Sequence, residues 1–274
     1  MKSERHPART LVALAGPVIG SMALSIAGLG LARRWIPRRA LEEANDVVGN
    51  YLQTLGSIYA VLLAFVVFVV WNQFNDARGF VDREANEILD LHRTSAGLGE
   101  PTNGRVRALI CTYLDTVLHT EWETMAGHGP EGPGAGAAIL DQLWGVIHEA
   151  DPTTSGDPAA YREVLKRLDD ISDARSSRMT ASRTRIPQTM RALLYTGAVT
   201  VIGSMYLFAV ESFAIHAVIT AALAGAISHV LFIIEDLDRC FEGTWQVSRS
   251  AFERVRRQTE TRVSSRAPVA TAVE

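Results

Sequence analysis

Lysine is nearly missing from this chain: Lys2 and Lys166 are its lysines, within a total of 27 Lys and Arg. That arginine excess, with the alanine and glycine content, points to a GC-rich bacterial genome. Cysteine is scarce too. Cys111 and Cys240 stand far apart, with no CxxC or metal-ligand spacing. A disulfide framework is thereby excluded, and a reducing compartment is compatible. No segment alternates in the manner of a half-buried strand. There is no phosphate loop, no HExxH, no nucleophile elbow, and no dinucleotide fingerprint set between a strand and a helix. The expectation is therefore no enzyme, no cofactor and no bound metal. A net charge of −3 gives no prior for nucleic acid.

What is present is segregated. Hydrophobic residues make up 47% and charged residues 21%, with a mean hydropathy of +0.09. That average hides long apolar runs beside segments dense in Arg, Asp and Glu. Four runs are expected to be helices, at about 10–32, 52–71, 192–210 and 212–234. Each is roughly 20 residues long, the length a helix needs to cross a bilayer core of about 30 Å. The first exceeds the usual apolar region of a signal peptide, and no clean small-x-small site precedes Arg33-Arg34, so it reads as a retained helix. The runs pair into two hairpins, residues 1–72 and 192–234. The first is joined by a loop from Arg33 to Tyr51 that opens with an interfacial Trp35-Ile36-Pro37 break. The second turns at Glu211.

With four crossings, both termini and the middle segment share one side. That side collects Lys2, Arg5 and Arg9, then Arg78, Arg83 and many later arginines. Arg33, Arg34, Arg38 and Arg39 oppose it, partly offset by Glu42, Glu43 and Asp46. The larger basic group marks the cytoplasmic side of a bacterial inner membrane.

Residues 73–191 read as a polar helical domain. Three apolar faces recur at helical spacing. They are Val106, Leu109, Ile110, Tyr113, Leu114, Val117 and Leu118; then Ile139, Leu140, Leu143, Trp144 and Ile147; then Tyr161, Val164, Leu165, Leu168 and Ile171. Asp157-Pro158 suits a helix start. Ala126–Ala137 reads as a flexible Gly-Pro loop. The second apolar helix is expected to run on past Trp71 through Ile88 and Leu91. Residues 235–257 form a C-terminal segment, and 258–274 a disordered tail.

Polar groups within the apolar runs are the sharper candidates, because burying them in lipid is costly. His229 either lines a hydrated path with Ser228 or bonds a neighbouring helix. His216 lies on another face, so the two make no common site. His119 and Glu123 share a helical face near Glu121 without a third ligand, and read as a solvated surface. Glu235-Asp236-Leu237-Asp238 reads as an acidic helix end paired with Arg239 more readily than as a cation site. Gly16xxxGly20, Ser21xxxSer25 and Ala221xxxGly225 permit close helix packing.

A set of ordered matches then emerges. The run Gly56-Ser57-Ile58-Tyr59-Ala60-Val61-Leu62-Leu63-Ala64-Phe65 ending in Trp71 resembles the second helix of the bestrophin-like bacterial membrane proteins. Glu84, Glu121-Trp122, Arg175 and Arg178, Ile186-Pro187, and Leu237-Asp238-Arg239-Cys240-Phe241-Glu242-Gly243 continue the likeness over roughly residues 50–255. Cys240 stands where that family usually has proline. The resemblance implies an all-α fold with four transmembrane helices and a cytosolic helical domain. It also implies a homo-oligomer, a pentamer in true bestrophins, embedded in membrane lipid and passing small ions, with anions as the expected class. Leu62, Phe65 and Val69 then become candidate neck residues, which would otherwise face lipid or partner helices. After Gly243 the stretch Thr244-Trp245-Gln246-Val247-Ser248-Arg249 carries no carboxylate, so calcium gating is not implied. The alternative reading is a non-conducting membrane scaffold or signalling protein acting through its polar helices.

Overall fold

The computed structural model describes residues 7–128, 134–150 and 157–264. Among them there is no strand. Eight α-helices follow in order: α1 (Pro7–Trp35), α2 (Arg38–Thr94), α3 (Thr102–Thr116), α4 (Ala135–His148), α5 (Pro158–Arg183), α6 (Gln188–Met205), α7 (Phe213–Asp238) and α8 (Ser250–Ser264). The chain divides into two units. The first takes in the chain up to Gln73, Arg185–Arg239 and Gly243–Trp245. The second takes in Phe74–Thr184, Cys240–Glu242 and the chain from Gln246 onward. α2 runs unbroken for 57 residues and contributes to both.

In the first unit α1 packs along α7. The contact is a ladder of antiparallel register. Ser228 donates to the Pro17 carbonyl at 3.3 Å, and Ser21 to the Ala224 carbonyl at 3.3 Å. Gly225 lets the backbones close, since a Cβ there would lie 3.1 Å from Met22. Gly16 and Gly20 face open space in the single chain. α2 is tied to α6 by Tyr59, whose hydroxyl donates to the Leu194 carbonyl at 2.8 Å while its ring rests on Gly197.

Several boundaries differ from expectation. The loop expected from Arg33 to Tyr51 shrinks to Ile36 and Pro37, because Ala40-Leu41-Glu42-Glu43-Ala44 are good helix formers and α2 begins at Arg38. The third apolar helix starts at Gln188, behind Pro187, and stops at Met205, short of the expected 210. The residues that follow form a turn ending at Ser212, whose hydroxyl accepts the Ile215 N–H and so opens α7. Among the described residues, three helices are long and apolar enough to cross a membrane: Leu14–Trp35, Asn45–Leu98 and Phe213–Asp238. The 18-residue α6 is not among them.

The second unit is a helical domain with one core. Val106, Ile110, Tyr113, Leu114, Val117, Leu143, Ile147, Val164, Leu168 and Ile171 lie buried in it with Ala85, Ile88 and Leu91 of α2. Each set repeats at three- and four-residue spacing, so one face of each helix meets the others. Past Thr116 the helix widens into π-helical turns at Val117–Glu121 and Thr124–His128, then kinks at Gly127, φ +76°. Asp157 caps α5, accepting the Ala159 N–H at 2.8 Å with Pro158 in the first turn. Within the stretch expected to be a flexible loop, residues 129–133 lie outside the described residues, and α4 already begins at Ala135. The tail expected to be disordered from 258 is instead helical to Ser264. Phe252, Val255 and Thr259 recur at i, i+3 and i+7 and are buried, which carries the helix onward. Residues 265–274 lie outside the described residues.

The close approach of α2 and α6 in the first unit gives a test. A Cβ at Gly197 would stand 2.5 Å from the Tyr59 ring. Gly197→Val is expected to cost about 1–3 kcal/mol through overpacking, read as a lowered thermal midpoint in detergent.

Candidate functional site

The family-pattern residues resolve into two charged constellations and one bare helix face. The first constellation lies in the second unit. Arg178 of α5 is fully buried. Its Nε meets Glu84 Oε2 at 2.6 Å, and its Nη2 meets Glu84 Oε1 at 3.0 Å and Glu121 Oε2 at 2.7 Å. The Glu84 contact is the two-pronged geometry that suits a guanidinium and a carboxylate. Arg175, one turn earlier, takes the other Glu121 oxygen at 2.6 Å. Tyr113 donates to Glu84 at 2.7 Å, and the Gly136 N–H donates to Glu121 at 3.0 Å. The remaining Arg178 nitrogen, Nη1, points at the Met125 sulfur, 3.0 Å away. The Phe252 ring lies 5.7 Å from the guanidinium carbon.

This geometry explains local sequence. Gly136 is required because a Cβ there would come within 2.5 Å of Glu121. Glu121, at the end of the π-helical turn, is buried, while His119 and Glu123 stay exposed. His119 instead meets the Asp115 carbonyl at 2.9 Å. Trp122 packs edge-on against Phe241 and Phe252, at 5.6 and 6.2 Å between ring centroids. Burial works against the Glu121 carboxylate, but Arg178 and Arg175 outweigh it and hold its pKa below the ordinary range. Burial and the adjacent Glu84 carboxylate push the Tyr113 phenol well up, so it stays a donor.

The second constellation lies in the first unit, at the end of α7. Asp236 accepts the Thr244 and Trp245 N–H groups at 2.9 and 2.8 Å. Gly243, φ +76°, allows the turn, and a Cβ there would collide with Asp236 at 2.1 Å. Asp238 accepts the Ile186 N–H at 2.7 Å and Arg191 at 3.0 Å. Arg191 also meets Glu235 at 2.9 Å. Pro187 begins α6 beside this pair. Trp71 stands edge-on to Trp245, 6.4 Å between centroids. The carboxylates of the acidic helix end are thus taken up by backbone N–H groups and by Arg191, a different partner from the expected Arg239. Among the described residues no three His, Cys, Asp or Glu side chains are grouped to hold a metal.

The bare face belongs to α2. Ile58, Val61, Phe65 and Phe68 are exposed, with Phe65 57% accessible. Gly56 meets nothing within 4 Å of where its Cβ would be. Leu62 and Val69 are half-buried at the margin of this face, while Tyr59, Val66 and Val70 turn inward. His229 is exposed on α7, along the same stripe as Ile215, Val218 and Ile219. Three partners had no sequence signal. Tyr113 reads as an apolar-face residue, Met125 falls in no motif, and the Arg33–His216 contact joins residues 183 positions apart.

The described residues are all-helical apart from turns and connections, and apolar spans of this length suit a membrane protein. The chain belongs to the bestrophin-like family: the Bestrophin-like domain matches residues 19–252. The fold agrees. A bacterial bestrophin homolog from Klebsiella pneumoniae superposes with a TM-score of 0.71 at 13% identity, covering 92% of this chain and 100% of that one. Two variants of the homolog give TM-scores of 0.71 and 0.73 at 12% identity, each over 90% of this chain. No curated protein matches the sequence.

Removing Arg178 would leave the buried Glu84 carboxylate on the Tyr113 hydroxyl and Glu121 on Arg175 and the Gly136 N–H, each without its Arg178 partner. Arg178→Met is expected to cost about 3–5 kcal/mol of stability, measured by denaturation of the purified protein. The acid limb should report Glu121. Its depressed pKa makes its contribution complete above the ordinary glutamate range and lost as pH falls through the depressed value. A stability titration from about pH 7 to about pH 3 should show that loss, and Glu121→Gln should shrink it.

Proposed function

We propose that this chain is one subunit of a homo-oligomeric ion channel in a bacterial inner membrane. The observation that carries this reading is the exposed apolar face of α2, built on Ile58, Val61, Phe65 and Phe68 in the unit that holds the apolar spans. A monomer leaves that face uncovered. A ring of copies would line an axis with it, and a ring of apolar side chains gates by dewetting. Phe65 is the central neck residue, flanked by Leu62 and Val69. α6 completes four crossings as the hairpin partner of α7, which keeps both termini and the second unit cytoplasmic. The Arg-rich α1–α2 corner weighs less against this orientation than its count suggests, because Arg33 is turned onto the Val210 carbonyl and His216. Five subunits and anions as permeant ions follow the family likeness. Glu84, Glu121, Arg175 and Arg178 serve as the rigid core of the cytoplasmic domain, and His229 meets a neighbouring helix or a hydrated path.

Purified oligomers in liposomes should carry a chloride or potassium flux, and Phe65→Ala should change conductance or gating severalfold. Inert liposomes with intact oligomers would favour a scaffold or signalling protein. Unchanged currents in Phe65→Ala would remove it from the neck.

A further inference from the structure

The α6–α7 turn is closed by a group that conduction does not use. His216, near the start of α7, is 1% exposed. Its Nε2 lies 2.8 Å from the Met205 carbonyl, and its Nδ1 lies 3.0 Å from Arg33 Nη2. The chemistry of the partners fixes the proton. A carbonyl only accepts, so Nε2 carries the hydrogen. A guanidinium only donates, so Nδ1 holds the free lone pair. The same Arg33 nitrogen donates to the Val210 carbonyl, and its guanidinium lies over the Phe213 ring at 5.4 Å from the centroid. One neutral imidazole therefore joins the end of α1, the end of α6 and the start of α7.

We propose that His216 and Arg33 form a proton-sensitive latch on the α6–α7 turn. Protonation at Nδ1 would turn the acceptor into a donor aimed at a donor, and set two positive charges 3.0 Å apart. The contact cannot survive in that form, so Arg33 moves off or the turn opens. The polar, charged and titratable groups described around it come from four elements. α1 contributes Arg33. The turn contributes Glu211 and Tyr206, whose hydroxyl packs against Gly28 of α1. α2 contributes Glu42, which with Glu211 lines a cavity on Arg33. α6 contributes the Met205 carbonyl.

Hydrogen exchange of the solubilised protein tests the latch without reference to ion flow or sidedness. His216→Gln is the matched variant, because an amide can donate to Met205 and accept from Arg33 but does not titrate. At about pH 7.5 the amides of residues 205–216 should exchange alike in both proteins. At about pH 5.5 they should exchange about tenfold faster in the wild type than in the variant. Equal exchange at both values overturns the proposal. Should the variant fail to fold, the wild type suffices. After correction for intrinsic rates, protection should fall stepwise with pH in 205–216 and hold in α5. A turn that loosens no more than α5 would refute the latch.

Discussion

Arg178 is the residue the second unit is organised around. A guanidinium with no access to water stays charged only if its neighbours replace that water, and here two carboxylates, a thioether and an aromatic face do so. Each replacement comes from a different part of the chain. Glu84 is on α2, Glu121 on a π-helical turn, Met125 beyond it, and Phe252 on α8. Holding these groups within hydrogen-bond reach fixes the helices relative to one another in a way apolar packing alone would leave loose. Arg175, Tyr113 and the Gly136 N–H then satisfy the remaining carboxylate oxygens. The glycine at 136 leaves the room that Glu121 needs at that point.

Much of this was legible in the sequence because it is periodic. The three apolar faces on α3, α4 and α5 repeat with the helix and end in the core, and the Asp157-Pro158 cap is a local signal with a local outcome. The spacing of Glu84, Glu121-Trp122, Arg175 and Arg178 marked family membership, and Arg175 with Arg178 falls on one helix face. What spacing alone does not convey is the pairing. Glu84 and Arg178 are 94 positions apart, and nothing local tells a paired buried arginine from a solvated one. The misplaced boundaries share another cause. Arg38-Arg39 and Glu42-Glu43 lie between two apolar runs and after a Pro37 break, which reads as a loop, whereas their helix propensity is high. Thr259 looked like the start of a polar tail, though it completes a buried i, i+3, i+7 row.

The bare α2 face shows the limit from the opposite direction. Sequence pattern placed Leu62, Phe65 and Val69 on one side of a helix. The packed chain shifts the exposed arc toward Val61, Phe65 and Phe68, because Tyr59, Val66 and Val70 are committed inward. Phe65 is common to both sets. Packing within one chain decides which residues are spent on the fold, and those left over are available for assembly. The α1–α7 seam gives the same lesson. Ser21 and Gly225 are used internally, while Gly16 and Gly20 remain uncovered.

Assembly into a channel depends on what covers that α2 face. A cryo-EM map of the purified assembly is the most direct test. It should show a closed ring of copies with the Phe65 side of α2 turned toward the symmetry axis. A monomeric particle, or a ring in which that side of α2 meets lipid at the periphery, would contradict it.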